Sequence, residues 1–259
     1  MAARRDTRDT LILQSFHADP PAWIDRCMES VRAWADAAGF SHRVMGDELF
    51  DALPGWVRRK TAERAATASD LARAHAMAEA LEAGWQRVVW LDADVLIVQP
   101  GALTAALRLQ DGYLLGREAW VQPDRRGRLQ THMGVHNAVF AADAGNPFLA
   151  FYRHAAERIL ARHEGSMVPQ LIGPKFLTSL DNTMGLPATW AVNMASPRVV
   201  ADLAAGGGPA RDRLLARSGR VPAALNLCHS HAGAEADGVA VTESMLDDAI
   251  ATCLRDGLR

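Results

Sequence analysis

Residues 87–100 read RVVWLDADVLIVQP, and two carboxylates one residue apart, Asp92 and Asp94, close the apolar run Val88, Val89, Trp90 and Leu91. A short run with β-branched members is the mark of a strand covered on both faces of an α/β sheet. In open α/β sheets ligands gather just beyond the carboxyl ends of the strands, so acidic side chains placed there face a crevice. Carboxylate oxygens suit a hard divalent cation such as Mn2+ or Mg2+, and such a cation can bridge the phosphates of a nucleotide. Asp-x-Asp is also a common turn former; the strand in front of it is what makes this pair a candidate site.

Upstream, residues 10–16 (TLILQSF) read as a first strand and residues 21–39 as a helix with Trp23, Cys27, Val31 and Trp34 along one side. Residues 40–45 alternate like a second strand, and residues 67–83 form an alanine-rich helix stopped by Gly84. Downstream, residues 101–109 read as helix, 112–116 as strand, 122–130 (QPDRRGRLQ) as a polar loop, 132–142 as strand and 146–163 as amphipathic helix, with a flexible break at 206–209 (GGGP). This alternation predicts an α/β fold with a mixed, mostly parallel sheet flanked by helices.

At 259 residues and 49% hydrophobic, the chain can bury one large core, so a single domain over 1–259 is expected. A net charge of -2 with scattered basic residues gives no reason to expect a nucleic-acid partner. Lys60 and Lys175 are the only lysines among 28 basic residues, which together with the many alanines suggests GC-rich coding. Cys27, Cys228 and Cys253 have neither metal-finger nor disulfide-framework spacing, which fits a reducing cytoplasm. The start MAARRDTRDT lacks an apolar core, and no window reaches the roughly 18 apolar residues of a membrane span, leaving at most peripheral membrane contact.

ATASDLAR (66–73), VVWLDADVLIV (88–98), GVHNAVFAA (134–142), IGPKFLTSL (172–180) and LCHSHAG (227–233) occur in the order seen in glycosyltransferases of the GT-A fold, a Rossmann-like class. The set resembles the retaining sugar transferases that carry an Asp-x-Asp motif: yeast-type initiating mannosyltransferases, bacterial capsule enzymes and clostridial toxin glucosyltransferase domains. The run around the acidic pair is more similar to the glycogenin and galactosyltransferase-like branch. The double glycine and tyrosine usual before the motif in the mannosyltransferase and toxin group are replaced by LEAGWQRVVW (81–90).

The resemblance implies transfer of a sugar from a nucleoside diphosphate sugar, UDP- or GDP-linked, to a hydroxyl on a glycan, a lipid-linked or a small-molecule acceptor. It implies a nucleotide-binding half at 10–98, a sugar and acceptor half at 99–235 and a C-terminal helix at 236–259. Asp92 inherits contact with ribose or metal, and Asp94 metal ligation. Of His229 and His231, either or both qualify as a further ligand; histidine suits Mn2+, and an extended segment would put both rings on one face. Asp70 and Arg73, three apart on one helix face, inherit the donor sugar, the carboxylate accepting from hydroxyls and the guanidinium donating; an ordinary surface ion pair is the plain alternative. Asn137 matches an Asn that reaches the sugar, or else marks a bulge or edge. Gly173 belongs to a Gly-Pro that precedes a site helix, and Lys175 faces the diphosphate or solvent. Asp181 and Asn182 stand where some retaining enzymes place a carboxylate near the anomeric carbon. Gln14 and Ser15, ending the first strand, lie where base and ribose contacts belong. Trp120, read as a loop residue, is a candidate sugar-stacking platform.

Two rivals remain at this level. A haloacid-dehalogenase-type phosphatase would use Asp92 as nucleophile and need Lys175 with Asp247 and Asp248. A non-catalytic GT-A-like module would bind nucleotide or glycan without turnover.

Overall fold

The computed structural model describes residues 9–258; most of the polar N-terminal arm, residues 1–8, and residue 259 lie outside them. The chain runs β1 (Thr10–Ser15), α1 (Ala22–Ala38), β2 (Ser41–Met45), α2 (Gly55–Lys60), α3 (Ala65–Glu82) and β3 (Arg87–Leu91). Then come β4 (Val95–Ile97), α4 (Pro100–Ala106), β5 (Tyr113–Pro123), β6 (Leu129–Asp143), α5 (Pro147–Arg162), α6 (Pro174–Met184), β7 (Ala188–Thr189) and β8 (Val192–Met194). Last are α7 (Pro197–Ala204), α8 (Pro209–Ser218), β9 (Ala224–Asn226), the small hairpin of β10 (Glu235–Ala236) and β11 (Val239–Ala240), and α9 (Glu243–Asp256).

Six strands make one sheet in the order β2-β1-β3-β6-β5-β7. β1 is parallel to both β2 and β3, β6 runs antiparallel to β3 and β5, and β7 joins β5 in parallel. This is the mixed, mostly parallel α/β sheet predicted from the sequence. A second sheet, β4-β9-β8, places the end of β9 beside the acidic pair, since Val95 pairs with Asn226.

The strand alternation explains why the central strands read as unbroken apolar runs. Leu11, Leu13, Val88 and Trp90 point into one core with residues of α3 and α5, whereas Ile12, Val89 and Leu91 point into another with α1 and α4. Residues of period two buried on both faces leave no polar face. α3 is buried all round from Thr67 to Ala78 except at Ser69, which is why its alanines show no amphipathic stripe; a helix apolar on every side is a core helix. Its one charged cluster, Asp70 and Arg73, is carried into the interior with it.

Three expectations are corrected. Residues 122–130 are not a loop: β5 and β6 pair down to Pro123 and Leu129, and only a tight turn remains. Asp124 closes that turn, its carboxylate accepting from the backbone of Arg126 and Arg128. The polar sequence misleads because the outer hairpin lacks core on one face. The GGGP stretch is no slack break but a fixed joint, with Asp202 accepting from Ala210 and Arg211 N–H at the start of α8 and lying against Gly208. The C-terminal helix begins at Glu243, behind the β10–β11 hairpin, and not at 236.

Candidate functional site

Asp92 and Asp94 stand in a turn between β3 and β4 that is pinned from every side. Asp92 N–H donates to Ala138 O (2.9 Å), Val95 N–H returns to Asp92 O (3.1 Å) and Leu227 N–H reaches Asp94 O (2.9 Å). Gln14, fully buried at the end of β1, donates from Nε2 to Asp92 O (3.2 Å) and pairs through Oε1 with His42 Nε2 (3.0 Å). Gln14 therefore braces the turn from beneath, while its neighbour Ser15 lines the cavity above.

The cavity is about 750 Å³, within the range that accepts a nucleotide-sized ligand. Asp70, Arg73, Asp92, Asp94, Asn137, Lys175, His229 and His231 all line it, from five separate elements and loops. Sequence positions from 70 to 231 thus converge at the carboxyl ends of β1 and β3, where an open α/β sheet is expected to bind.

Arg73 organises the carboxylates. Its Nη1 lies 3.0 Å from Asp92 Oδ1 and donates to Asn137 O (2.8 Å), its Nη2 lies 3.6 Å from Asp70 Oδ1, and its guanidinium sits 5.3 Å from the Trp90 ring. The Asp70–Arg73 pair is no surface pair: both side chains are below a tenth exposed. Burial acts to lower the Arg73 pKa, but the carboxylates of Asp92 and Asp70 outweigh it, so the net shift is upward. Asp70 is pushed up by burial, opposed by Arg73 and by the amide of Asn137, which donates to Oδ1 (2.9 Å). Asn137 sits where the β5–β6 register breaks between Leu115 and Gly116, so it is at once a bulge residue and a partner of the site. Gly173 does not line the cavity; the Asp70 carboxylate lies against its Cα where a Cβ would be.

Asp94 has both oxygens occupied by neutral donors: Asn226 Nδ2 on Oδ1 (2.6 Å) and His229 N–H on Oδ2 (2.7 Å). Burial and then the neighbouring Asp92 push its carboxyl well up. Asp92 Oδ1 also accepts from Trp90 Nε1 (2.7 Å), and among the described residues its Oδ2 has no donor. Asp70 and Asp92 share the Arg73 guanidinium, and Asp94 has only neutral donors among the described residues, an arrangement short of positive charge.

Among the described residues no three His, Cys, Asp or Glu side chains converge as a metal-holding group. His229 and His231, the expected further ligands, line the same cavity without forming such a group with Asp92 and Asp94. His229–His231 is a 3-10 turn, not a strand, so spacing by two does not align the rings. His229 meets Asp94 through its backbone, and its ring lies 5.3 Å from Phe16 and 5.7 Å from Trp23; the His231 ring lies 5.7 Å from Trp120. Adjacent, acidic and cavity-lining, with no donor on Asp92 Oδ2 among the described residues, the two carboxylates are chemically suited to a hard cation.

Asp181 and Asn182 lie outside the cavity. Asp181 is held by Arg117 in a bidentate pair (2.9 and 3.1 Å) and accepts from Leu186 N–H, contacts that lower its pKa although burial opposes them. The phosphatase set is not assembled either: Asp247 pairs with Arg26, and neither it nor Asp248 lines the cavity.

Sequence reading missed Asn226, although it ends the apolar run just before LCHSHAG, and it missed Glu118. Glu118 lines the cavity, has no hydrogen-bond partner among the described residues, and burial pushes its carboxyl up to about 7. Its alternation with Trp120 and Gln122 was the available signal.

No family model matches this chain, and no curated protein matches it. Among solved structures it is similar to a glycosyltransferase involved in the glycosylation of the major capsid of PBCV-1, at 9% identity and a TM-score of 0.45, covering 94% of this chain and 98% of that one. It is also similar to mannose-1-phosphate geranyltransferase from Thermus thermophilus, at 12% identity and a TM-score of 0.33 over 70% and 73% of the two chains. Likenesses this remote define no class of protein, and the functional reading rests on the site.

Proposed function

We propose that this chain is a metal-dependent glycosyltransferase, a hexosyltransferase that moves a sugar from a UDP- or GDP-linked donor to a hydroxyl acceptor, with retention as in the enzymes its motifs resemble. The observation that supports it is the convergence of Asp92, Asp94 and the Asp70–Arg73 pair on one cavity at the ends of β1 and β3.

Asp92 and Asp94 would hold Mn2+ or Mg2+ together with diphosphate oxygens. When bound, the cation would supply Lewis-acid neutralisation of the leaving diphosphate. Arg73 fixes Asp92 and Asp70 in place and keeps positive charge at the site. Asp70, anchored by Asn137, offers acceptor oxygens to donor-sugar hydroxyls. Lys175, in the first turn of α6, adds a cation on the cavity wall that suits a diphosphate. Ser15, which lines the cavity at the end of β1, would meet the ribose.

Incubation with UDP- and GDP-hexoses and Mn2+ should release nucleoside diphosphate from at least one donor, and Asp92→Asn should remove that release. A folded wild-type chain that releases none from any donor contradicts the proposal.

A further inference from the structure

The β5–β6 hairpin reaches beyond β3 and turns one face toward the cavity. Even-numbered residues share that face, so Glu118, Trp120 and Gln122 of β5 and His132 of β6 all line the cavity. Opposite Glu118, β6 carries Gly134, and the absent side chain leaves a notch that the Glu118 carboxylate enters: its Oε1 is 2.8 Å from where a Cβ of residue 134 would sit. Among the described residues no group donates to that carboxylate, although it faces the cavity. Trp120 Nε1 donates to Gln122 Oε1 (3.1 Å), and Gln122 Nε2 lies 3.3 Å from His132 Nε2, so the indole is held at its edge.

We propose that this wall is the acceptor subsite and that the acceptor presents a carbohydrate ring to it, the C–H face of a pyranose on Trp120 and a ring hydroxyl donating to Glu118. The inference rests on the nucleotide-sugar reading of the same cavity and names its second substrate. A pyranose has an apolar face and a polar rim, which match a fixed aromatic ring beside a carboxylate, an amide and an imidazole. A lipid chain would leave those polar groups without partners, and a phosphate would be repelled by Glu118.

The test is saturation-transfer NMR on the full chain with a panel of methyl α- and β-glucosides, galactosides and mannosides, with UDP or GDP plus Mn2+ titrated in parallel. At least one methyl glycoside should receive saturation, strongest at its ring C–H protons. Trp120→Ala should weaken its binding by about tenfold or more. Glu118→Gln should also weaken it, Trp120→Phe should keep part of it, and Trp56→Ala, an exposed tryptophan outside the cavity, should leave it unchanged. Absence of binding by every methyl glycoside overturns the proposal, as does binding indifferent to both Trp120→Ala and Glu118→Gln. Glycoside binding that depends on Trp120 without any nucleotide binding supports the subsite and sinks the donor reading; nucleotide binding without any glycoside binding does the reverse. If Trp120→Ala also loses nucleotide binding, Trp120→Phe and Glu118→Gln decide the matter.

Discussion

Gly173 occupies its position because the Asp70 carboxylate leaves no room for a side chain there. That close approach is by itself a reason for a glycine at 173. Gly173→Ala should therefore shift Asp70, lowering stability by about 1–3 kcal/mol and weakening donor binding, as urea denaturation and nucleotide-sugar titration would read. Asp92→Asn should behave differently. Its Oδ1 can still accept from Trp90 and lie beside Arg73, so stability should fall by no more than about 1–2 kcal/mol while metal-dependent nucleotide binding is lost. A loss of both together would place Asp92 among structural residues only. At this scale the sequence identified residue types better than directions. Asp92 and Asp94 were legible because the strand before them fixes where they emerge. Asp181 was not, because nothing in one helix turn shows that Arg117, 64 residues away, holds its carboxylate.

The hairpin of β5 and β6 is the element the sequence conceals. Most of the stretch 132–142 reads as strand because core covers it from Gly134 on, whereas the tip, 122–130, carries arginines and glutamines that look like a loop. The register breaks where His136 folds over Gly116, its Nδ1 accepting from Ala138 N–H (3.2 Å) and its Nε2 donating to Val192 O (3.1 Å). That packing needs a glycine at 116: the ring occupies the space of a Cβ. Gly116→Ala should cost about 1–3 kcal/mol and speed hydrogen exchange along β5 more than along β1. The His229–His231 turn was hidden for a related reason, since a 3-10 turn anchored by distant Asp94 leaves no periodic trace.

Across the whole molecule, two buried titratable groups set opposite pH responses. Burial lowers the His136 pKa to about 4, so the unfolded chain takes up a proton that the folded one refuses. Its contribution to stability is complete above pH 6.5 and is lost as pH falls toward 4, roughly 3 kcal/mol at most. Glu118, raised to about 7, binds a proton in the folded state before the unfolded chain does, and its destabilising effect fades as pH falls from 7 to 4.5. Glu118→Gln should thus be more stable than wild type at about pH 7.5, with the gain shrinking toward about pH 5 in denaturant titrations; a constant difference would contradict this. Among the described residues no helix is long and apolar enough to cross a membrane. The fold class was legible because alternating strands and helices leave a periodic signature, while the site was only partly so, because its partners meet through packing. The acidic turn after β3 would bind a nucleoside diphosphate through a divalent cation. Calorimetric titration of wild type and Asp94→Ala with UDP and GDP, with and without Mn2+, should show Mn2+-dependent binding of at least one nucleotide that Asp94→Ala abolishes; binding of neither, or binding indifferent to Mn2+ and to Asp94, rules the nucleotide-sugar function out.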